Sequence, residues 1–475
     1  MMRRPRWAAL FAWIAVCHAA SATGAPDAGV SSIDLFVDAS APAGGDGSEA
    51  RPFQRLEQAL GPGGRRIRLA AGIYSGGLVL ESMELVGGKS VVLAATPPAI
   101  CLRTRGAVKL TGVQIQGGLT GLQVQSGRAE LRGVRFSGQR GPAVEVSGGS
   151  ELVLEASALR AGISEQHGLR LAPGARATVR DVSFEGPFSR AVSATDPAAL
   201  RLERVRVEQA VTAFHLEGGE ASISTLEAGG GRGPALYVAR GRLHLSGVSL
   251  VGHEYGLLTG DEAQVDGTDV RSRHAERAGV AIVRSRATLS RLSVDGAGNY
   301  GGVQLVGAQA RFIDLSISGG RSSGLVMRDG RLEVLRARVS GLQSADPAAG
   351  DGMQIRGGEA TISRLVVDRC SGIGLLAAEG ARVTVERSEV RGAGVAGLSA
   401  ETDAHLQATD VTLEGSAGPA VLVLDGGEAK LRRIRARDNQ KGAVWAECAA
   451  RAAVDVEDWS GDVRPTRSAC VAVAP

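Results

Sequence analysis

Gly302-Val303-Gln304-Leu305, a polar turn and Ala310-Arg311-Phe312 are followed 22 residues on by Gly324-Leu325-Val326-Met327 and Leu332-Glu333-Val334. The same unit, Gly-apolar-x-apolar followed by a turn and a second alternating run, recurs along the chain. It appears at Gly121-Leu122-Gln123-Val124, Gly279-Val280-Ala281-Ile282 and Gly352-Met353-Gln354-Ile355, and continues at Gly374, Gly397 and Gly442. Gly-Pro-Ala variants stand at Gly141, Gly233 and Gly418. The starts are mostly 20 to 24 residues apart, with longer gaps from Gly141 to Gly168 and from Gly324 to Gly352. Insertions of this kind belong in loops on one side of a repeat array.

The runs alternate with period two and are too short for helices. Turn residues cut each unit into about three runs, so the unit is smaller than a propeller blade, and it lacks the recurring Asn of leucine-rich repeats. No single unit can bury its own apolar face, and stacked units can. The pattern therefore predicts an all-β chain: a right-handed parallel β-helix of roughly 14 or 15 coils of about 22 residues. Val124, Ile355 and Leu375 are predicted to point inward. The 67 glycines and a hydrophobic content of 44% supply the turns and the core that such a solenoid needs.

The ends of a solenoid expose strand edges and need covers. Pro52 to Leu60 is read as a short amphipathic capping helix with Phe53, Leu56 and Leu60 on one face, closed by Gly61-Pro62-Gly63. At the other end Cys448 and Cys470 are 22 residues apart, one coil, which suits a disulfide between neighbouring coils. Together with Trp459 they close the rod. Cys101 and Cys370 are about 12 coils apart, too far to bridge, and are read as buried free thiols.

The first 22 residues have the order of a signal peptide. Arg3, Arg4 and Arg6 precede the apolar stretch Ala8 to Val16 and the small-x-small site Ala20-Ser21-Ala22. The alternative is lipid attachment at Cys17. No other apolar stretch is long enough to span a bilayer. The division expected is a signal peptide at 1–22, a linker at 23–32, the cap and first coils at 33–98, β-helix repeats at 99–447 and a C-terminal cap at 448–475. The net charge of +4 comes from 54 basic and 50 acidic residues. With Arg3, Arg4 and Arg6 removed the two signs nearly balance and are scattered, which argues against a nucleic-acid partner.

The stretch Leu35 to Asp38, Asp46-Gly47-Ser48, Pro52-Phe53 and Ala71-Gly72-Ile73-Tyr74 resembles the start of bacterial right-handed β-helix proteins of the pectin-lyase-like superfamily. The resemblance implies export and a polysaccharide or cell-envelope setting. It does not fix an activity, because one fold hosts many chemistries. Many members of that family stack Asn at a turn. This chain has only Asn299 and Asn439, so Gly and Ala are expected to fill those turns.

The outward residues of each coil's first strand include Gln123, Glu145, Arg170, Ser193, His215, Tyr237, Gln304, Gln354, Ser399, Leu422 and Trp445. No carboxylate column appears among them, as a calcium site or a paired-acid hydrolase would require. No metal and no cofactor is expected. The catalytic candidates are Asp346 and Asp351 in the second insertion, which are also natural turn formers. A second group is Arg170, His215 and Glu217 with His167, which could supply a base and a charge neutraliser or be a solvated face. The tyrosines and Trp445 fall in different coils, which argues against a long sugar groove. The sequence favours an exported, non-catalytic scaffold or binding protein with a glycan or envelope partner. The alternative is a polysaccharide lyase, hydrolase or epimerase. Cleavage after Ala22 predicts Thr23 as the first residue of the exported protein. N-terminal sequencing checks this, and lipid on Cys17 would overturn it.

Overall fold

The computed structural model describes residues 34–61, 64–344 and 349–474. It is a parallel β-solenoid of about 17 turns, more than the 14 or 15 that the glycine-led repeats mark. The extra coils lie at the start, where a strand such as Leu102–Arg105 follows Cys101 and is not introduced by Gly-apolar. Each coil has three short strands, and each strand pairs in parallel with its counterpart one coil on. In one coil these are Leu122–Val124, Arg128–Arg132 and Arg135–Ser137, on the first, second and third faces respectively. The next coil repeats them as Val144–Val146, Glu151–Glu155 and Ala158–Arg160, with Leu122 opposite Val144 and Phe136 opposite Leu159.

Alternation sends Leu122, Val124, Ala129, Leu131 and Phe136 inward, all within one continuous core that includes Ile355 and Leu375. The recurrent Gly before the first strand has a steric cause. Its α-hydrogen faces the third strand of the same coil. A Cβ on Gly279 would lie 2.3 Å from Val294, on Gly302 2.7 Å from Ile317 and on Gly324 2.6 Å from Val339. Only Gly lets the branched core residue close this corner, and Ala143 or Ala420 serves in other coils.

The corner between the second and third faces corrects one expectation. Gly112, Gly133 and Ala156 fill it in the early coils. In most later coils charged residues do so in the left-handed conformation, including Asp181, Arg204, Asp269, Arg291, Asp314, Arg336, Asp410 and Arg433, with φ between 50° and 65°, while Thr225 and Gly247 stand there in two. Asp tolerates this region through its short polar side chain. The arginines are held there by the coil and grip the aspartate of the preceding one. Arg204 reaches Asp181 at 2.6 and 2.8 Å, and Arg291 reaches Asp269 at 2.6 Å through both nitrogens. Arg336–Asp314 and Arg433–Asp410 repeat the two-pronged pair. Four Asp–Arg pairs thus stand along a corner where an amide ladder is absent, interrupted by Thr225 and Gly247 and by the run Arg336, Arg364, Arg387, which has no carboxylate between its members.

The N-terminal cover also differs from expectation. The helix is a single turn, Leu56–Ala59, which buries Leu56 and Ala59. The edge of the first strand, Asp34–Val37, is closed by extended chain instead. Phe36 N–H donates to Gly47 at 2.9 Å, Phe53 N–H to Phe36 at 2.9 Å and Asp38 N–H to Phe53 at 2.8 Å. Gly47 has φ +82, and a Cβ there would meet the Phe53 ring at 2.4 Å, so this Gly lets Phe53 lie flat. Tyr74 is buried and donates to the Ala70 carbonyl at 2.8 Å. At the other end Cys448 and Cys470 are disulfide-bonded with Cα atoms 5.3 Å apart, and Trp459 Nε1 donates to Val463 at 2.9 Å. Cys101 and Cys370 are free and buried. Burial pushes their thiols up to about 12 and about 11.

Gly324→Val is expected to lower stability by about 1–3 kcal/mol or more through overpacking against Val339. Asp269→Asn, on the solvated corner, is expected to have a much smaller effect. Urea unfolding midpoints of the two variants test this order.

Candidate functional site

The three outer faces differ in kind. The second face is laced with charges that alternate from coil to coil. Arg128 pairs with Glu151 at 3.0 Å, Arg180 lies between Glu155 and Glu203 at 3.4 and 2.9 Å, and Arg331 pairs with Glu359 at 2.9 Å. The first face instead carries aromatic and aliphatic side chains among few charges. Residues 161–166 of the first insertion, and of the second its described residues 343–344 and 349–351, lie in the connection leading from the third face to the first, so they flank the first face.

Register places the candidates from the sequence. Arg170, Ser193, His215 and Tyr237 occupy one column in successive coils. Thr195 and Glu217 stand beside each other, and His167 stacks on Arg190. The His215 and Tyr237 rings stack with centroids 4.9 Å apart and planes inclined by 24°. Burial, reinforced by the Arg190 charge, pulls the His215 pKa down to about 4. His167 is lowered for the same reasons, with Arg170 adding to the effect. Both imidazoles are therefore neutral at neutral pH. Glu217 forms an ion pair with Arg240, and Arg170 with Glu145 at 3.8 Å.

Asp351 is only 4% exposed. Its Oδ1 accepts from Ile373 N–H at 2.6 Å and its Oδ2 from Gln354 Nε2 at 2.6 Å. Burial pushes its pKa upward against those bonds. Gly372 provides room for the carboxyl, since a Cβ there would lie 2.0 Å from Oδ1. Asp351 thus ties the second insertion to the following coil. Asp346 lies outside the described residues. Above this stretch the outward Leu376 is covered by Ile373, Ala378 and Val395.

Several residues not singled out in the sequence extend the site. Arg190 lies between His167 and Thr212 in the next coils. Tyr255 and Tyr300 sandwich Arg277, whose guanidinium carbon is 5.8 and 5.5 Å from the two ring centres, while Glu254 pairs with it at 2.7 Å. Tyr300 is 46% exposed. Tyr255 and Tyr300 thus form one cluster around Arg277 at the entry to the first strand, separate from the His215–Tyr237 stack, which lies three residues further along the strands where Tyr237 stands opposite Leu258. The signal missed was position: Tyr255 and Tyr300 sit at or just before the strand start, in connections of varying length. Among the described residues no group of three His, Cys, Asp or Glu side chains could hold a metal. A depression of about 520 Å³ lies elsewhere, on the second corner beside Gly112, Gly133, Ala156 and Arg204. It is the gap left by the missing side chains at that corner, and no aromatic lines it.

A parallel three-stranded coil repeated in register, with small corner residues and one continuous core, defines the class: the chain is a right-handed parallel β-helix repeat protein. Residues 301–457 match the family described as right handed beta helix region. No curated protein matches the chain. Similar solved structures include the catalytic unit of a thermostable GH87 alpha-1,3-glucanase from Streptomyces thermodiastaticus, 13% identical with a TM-score of 0.18, covering 81% of this chain and 65% of that one. The periplasmic alginate epimerase AlgG is 9% identical with a TM-score of 0.23, covering 83% and 79%. Tailspike protein 3 of bacteriophage CBA120 is 10% identical with a TM-score of 0.20, covering 82% and 56%. The chain thus spans less than two thirds of the glucanase and tailspike chains. Similarity of this degree does not extend to chemistry. No helix among the described residues is long and apolar enough to cross a membrane.

The His215 pKa sets a testable acid limit. The folded value of about 4 lies below the ordinary 6.5, so the unfolded chain takes up this proton first as pH falls. The stability contributed by neutral His215 is complete above about 6.5 and is lost progressively down to about 4. The His215 ring resonance is expected to titrate with a midpoint near 4, and a midpoint near 6.5 would refute the buried, Arg190-facing placement.

Proposed function

We propose that the chain is an exported, non-catalytic β-helix that binds a glycan along its first face. The observation that carries this reading is the pair of aromatic groups on this face, the stacked His215 and Tyr237 and the Tyr255–Arg277–Tyr300 cluster a few coils on. Sugar rings present C–H faces to aromatic planes and hydroxyls to flanking charged groups, and this face offers both. The aliphatic Leu258 continues the column after Tyr237.

The carboxylates of this face do not form an acid–base pair. Glu145, Glu217 and Glu254 are each held by an arginine, and Asp351 is buried and bonded at both oxygens. Glu145 and Glu217 belong to coils three apart, roughly 14 Å at the strand spacing, beyond the range of about 5–9.5 Å in which two carboxyls act on one glycosidic bond. Export through the signal segment at 1–22, with anchoring at Cys17 as its variant, belongs to the same proposal and puts the rod at the cell envelope or outside it.

On a glycan array the mature protein is expected to retain at least one polysaccharide. Tyr237→Ala and Tyr300→Ala are each expected to weaken retention about two- to tenfold, the size of one stacking contact. Undiminished binding by both variants would remove the two aromatic groups from the site. Release of reducing ends or unsaturated products from the retained polysaccharide would replace a binding protein with an enzyme.

A further inference from the structure

We propose that the first face carries, near the His215–Tyr237 stack, an oxyanion subsite, in which Arg190, with His167 and Gln166 beside it, receives a carboxylate, sulfate or phosphate substituent of the bound glycan. The proposal rests on the glycan-binding reading and deepens it by naming the chemical class of the ligand.

The first ground is an unbalanced charge. Arg170, Arg240, Arg277 and Arg356 on this face each have a carboxylate partner, whereas Arg103 and the exposed Arg328 at other heights do not, so the charge alone does not single out one coil. Arg190 has no ion pair and no side-chain hydrogen bond among the described residues, although it is half-buried and stacked between His167 and Thr212. A half-buried guanidinium without a partner gives up hydration and gains nothing in return, a state that an incoming anion reverses.

The second ground is independent of charge. His167 Nδ1 and Gln166 Nε2 are buried atoms with no hydrogen-bond partner. Gln166 is 0% exposed, and its Oε1 accepts from Gly162 N–H at 3.2 Å. That bond fixes the amide orientation and leaves Nε2 as an unmet donor. Unmet buried polar groups cost about 1–3 kcal/mol each, and both occur in or beside the first insertion, in the coil that precedes Arg190. The neighbouring acids do not neutralise Arg190: Glu145 is engaged by Arg170 and Glu217 by Arg240, and Glu165 is exposed in the insertion. Tyr237 stands two coils from Arg190, roughly 10 Å, so a chain lying on the tyrosine passes over the arginine.

Dextran, carboxymethyl dextran and dextran sulfate share one backbone and separate charge from shape. The mature protein is expected to bind the two charged polymers about tenfold or more tightly than dextran. Arg190→Gln is expected to abolish that preference. Arg382→Gln, an exposed second-face cation, should leave it intact, and Tyr237→Ala should weaken all three polymers alike. Titration with sodium sulfate, phosphate and acetate, read from the His167 and His215 ring resonances, tests the subsite without any glycan and distinguishes the three anions. Shifts in the wild type that vanish in Arg190→Gln support the subsite even if every dextran fails to bind, in which case only the glycan reading falls. Equal losses in Arg190→Gln and Arg382→Gln, or no response to any anion, overturn the proposal.

Discussion

Every feature of this molecule depends on in-register parallel hydrogen bonding between one coil and the next. It fixes the neighbours of each side chain as its counterparts about 22 residues away, roughly 4.8 Å above and below. A residue suited to one coil must therefore suit a stack. Aliphatic stacks meet this condition directly, which is why the interior is Val, Leu, Ile and Ala with single phenylalanines such as Phe136, Phe184 and Phe312. Charges do not, because like charges at this separation repel by on the order of 1 kcal/mol even in bulk water. In several stacks the chain alternates their sign instead, as in Glu155–Arg180–Glu203 on the second face and Asp181–Arg204 on the corner.

The same constraint explains what was readable in the sequence. Period two and the 22-residue spacing follow from strand geometry, and each inward residue named from them, Val124, Ile355 and Leu375 among them, lies in the core. The Gly before the first strand was visible as a marker, but its cause, the approach of Val294, Ile317 or Val339 from the same coil, depends on three-dimensional closure. The turn chemistry was misread because left-handed backbone is ordinarily assigned to Gly or Asn. Where a charged residue there is gripped by its neighbour in the stack, as with Asp269 and Arg291, the two have to be read together across 22 positions.

The candidate site was legible only in part, for a related reason. Arg170, His215 and Glu217 occupy strand positions, and counting by coils brings them together. Tyr255, Arg277 and Tyr300 belong to the connection entering the first strand, whose length changes from coil to coil, so equal spacing in sequence does not map onto equal height. The terminal cover was obscured differently. Phe53 and Leu60 have helical spacing, yet Phe53 is extended because Phe36 and Asp38 need partners for their backbone groups. An open strand edge outweighs the propensity of a nine-residue segment to form helix.

The proposed location of function rests on how each stack is satisfied. On the second face and its corner, many cations and carboxylates satisfy one another through the register, though some exposed arginines such as Arg176 and Arg382 stand without an ion pair among the described residues. The first face differs. Its tyrosines expose ring faces, its imidazoles are neutral, and Arg190, His167 Nδ1 and Gln166 Nε2 lack partners where the first insertion breaks the repeat. Buried polar atoms without a partner also occur elsewhere, at His253, Ser150, Ser272 and Ser416, but beside the first insertion they adjoin a half-buried arginine without an ion pair. In the proposed reading a bound acceptor removes the cost of leaving those groups unmet.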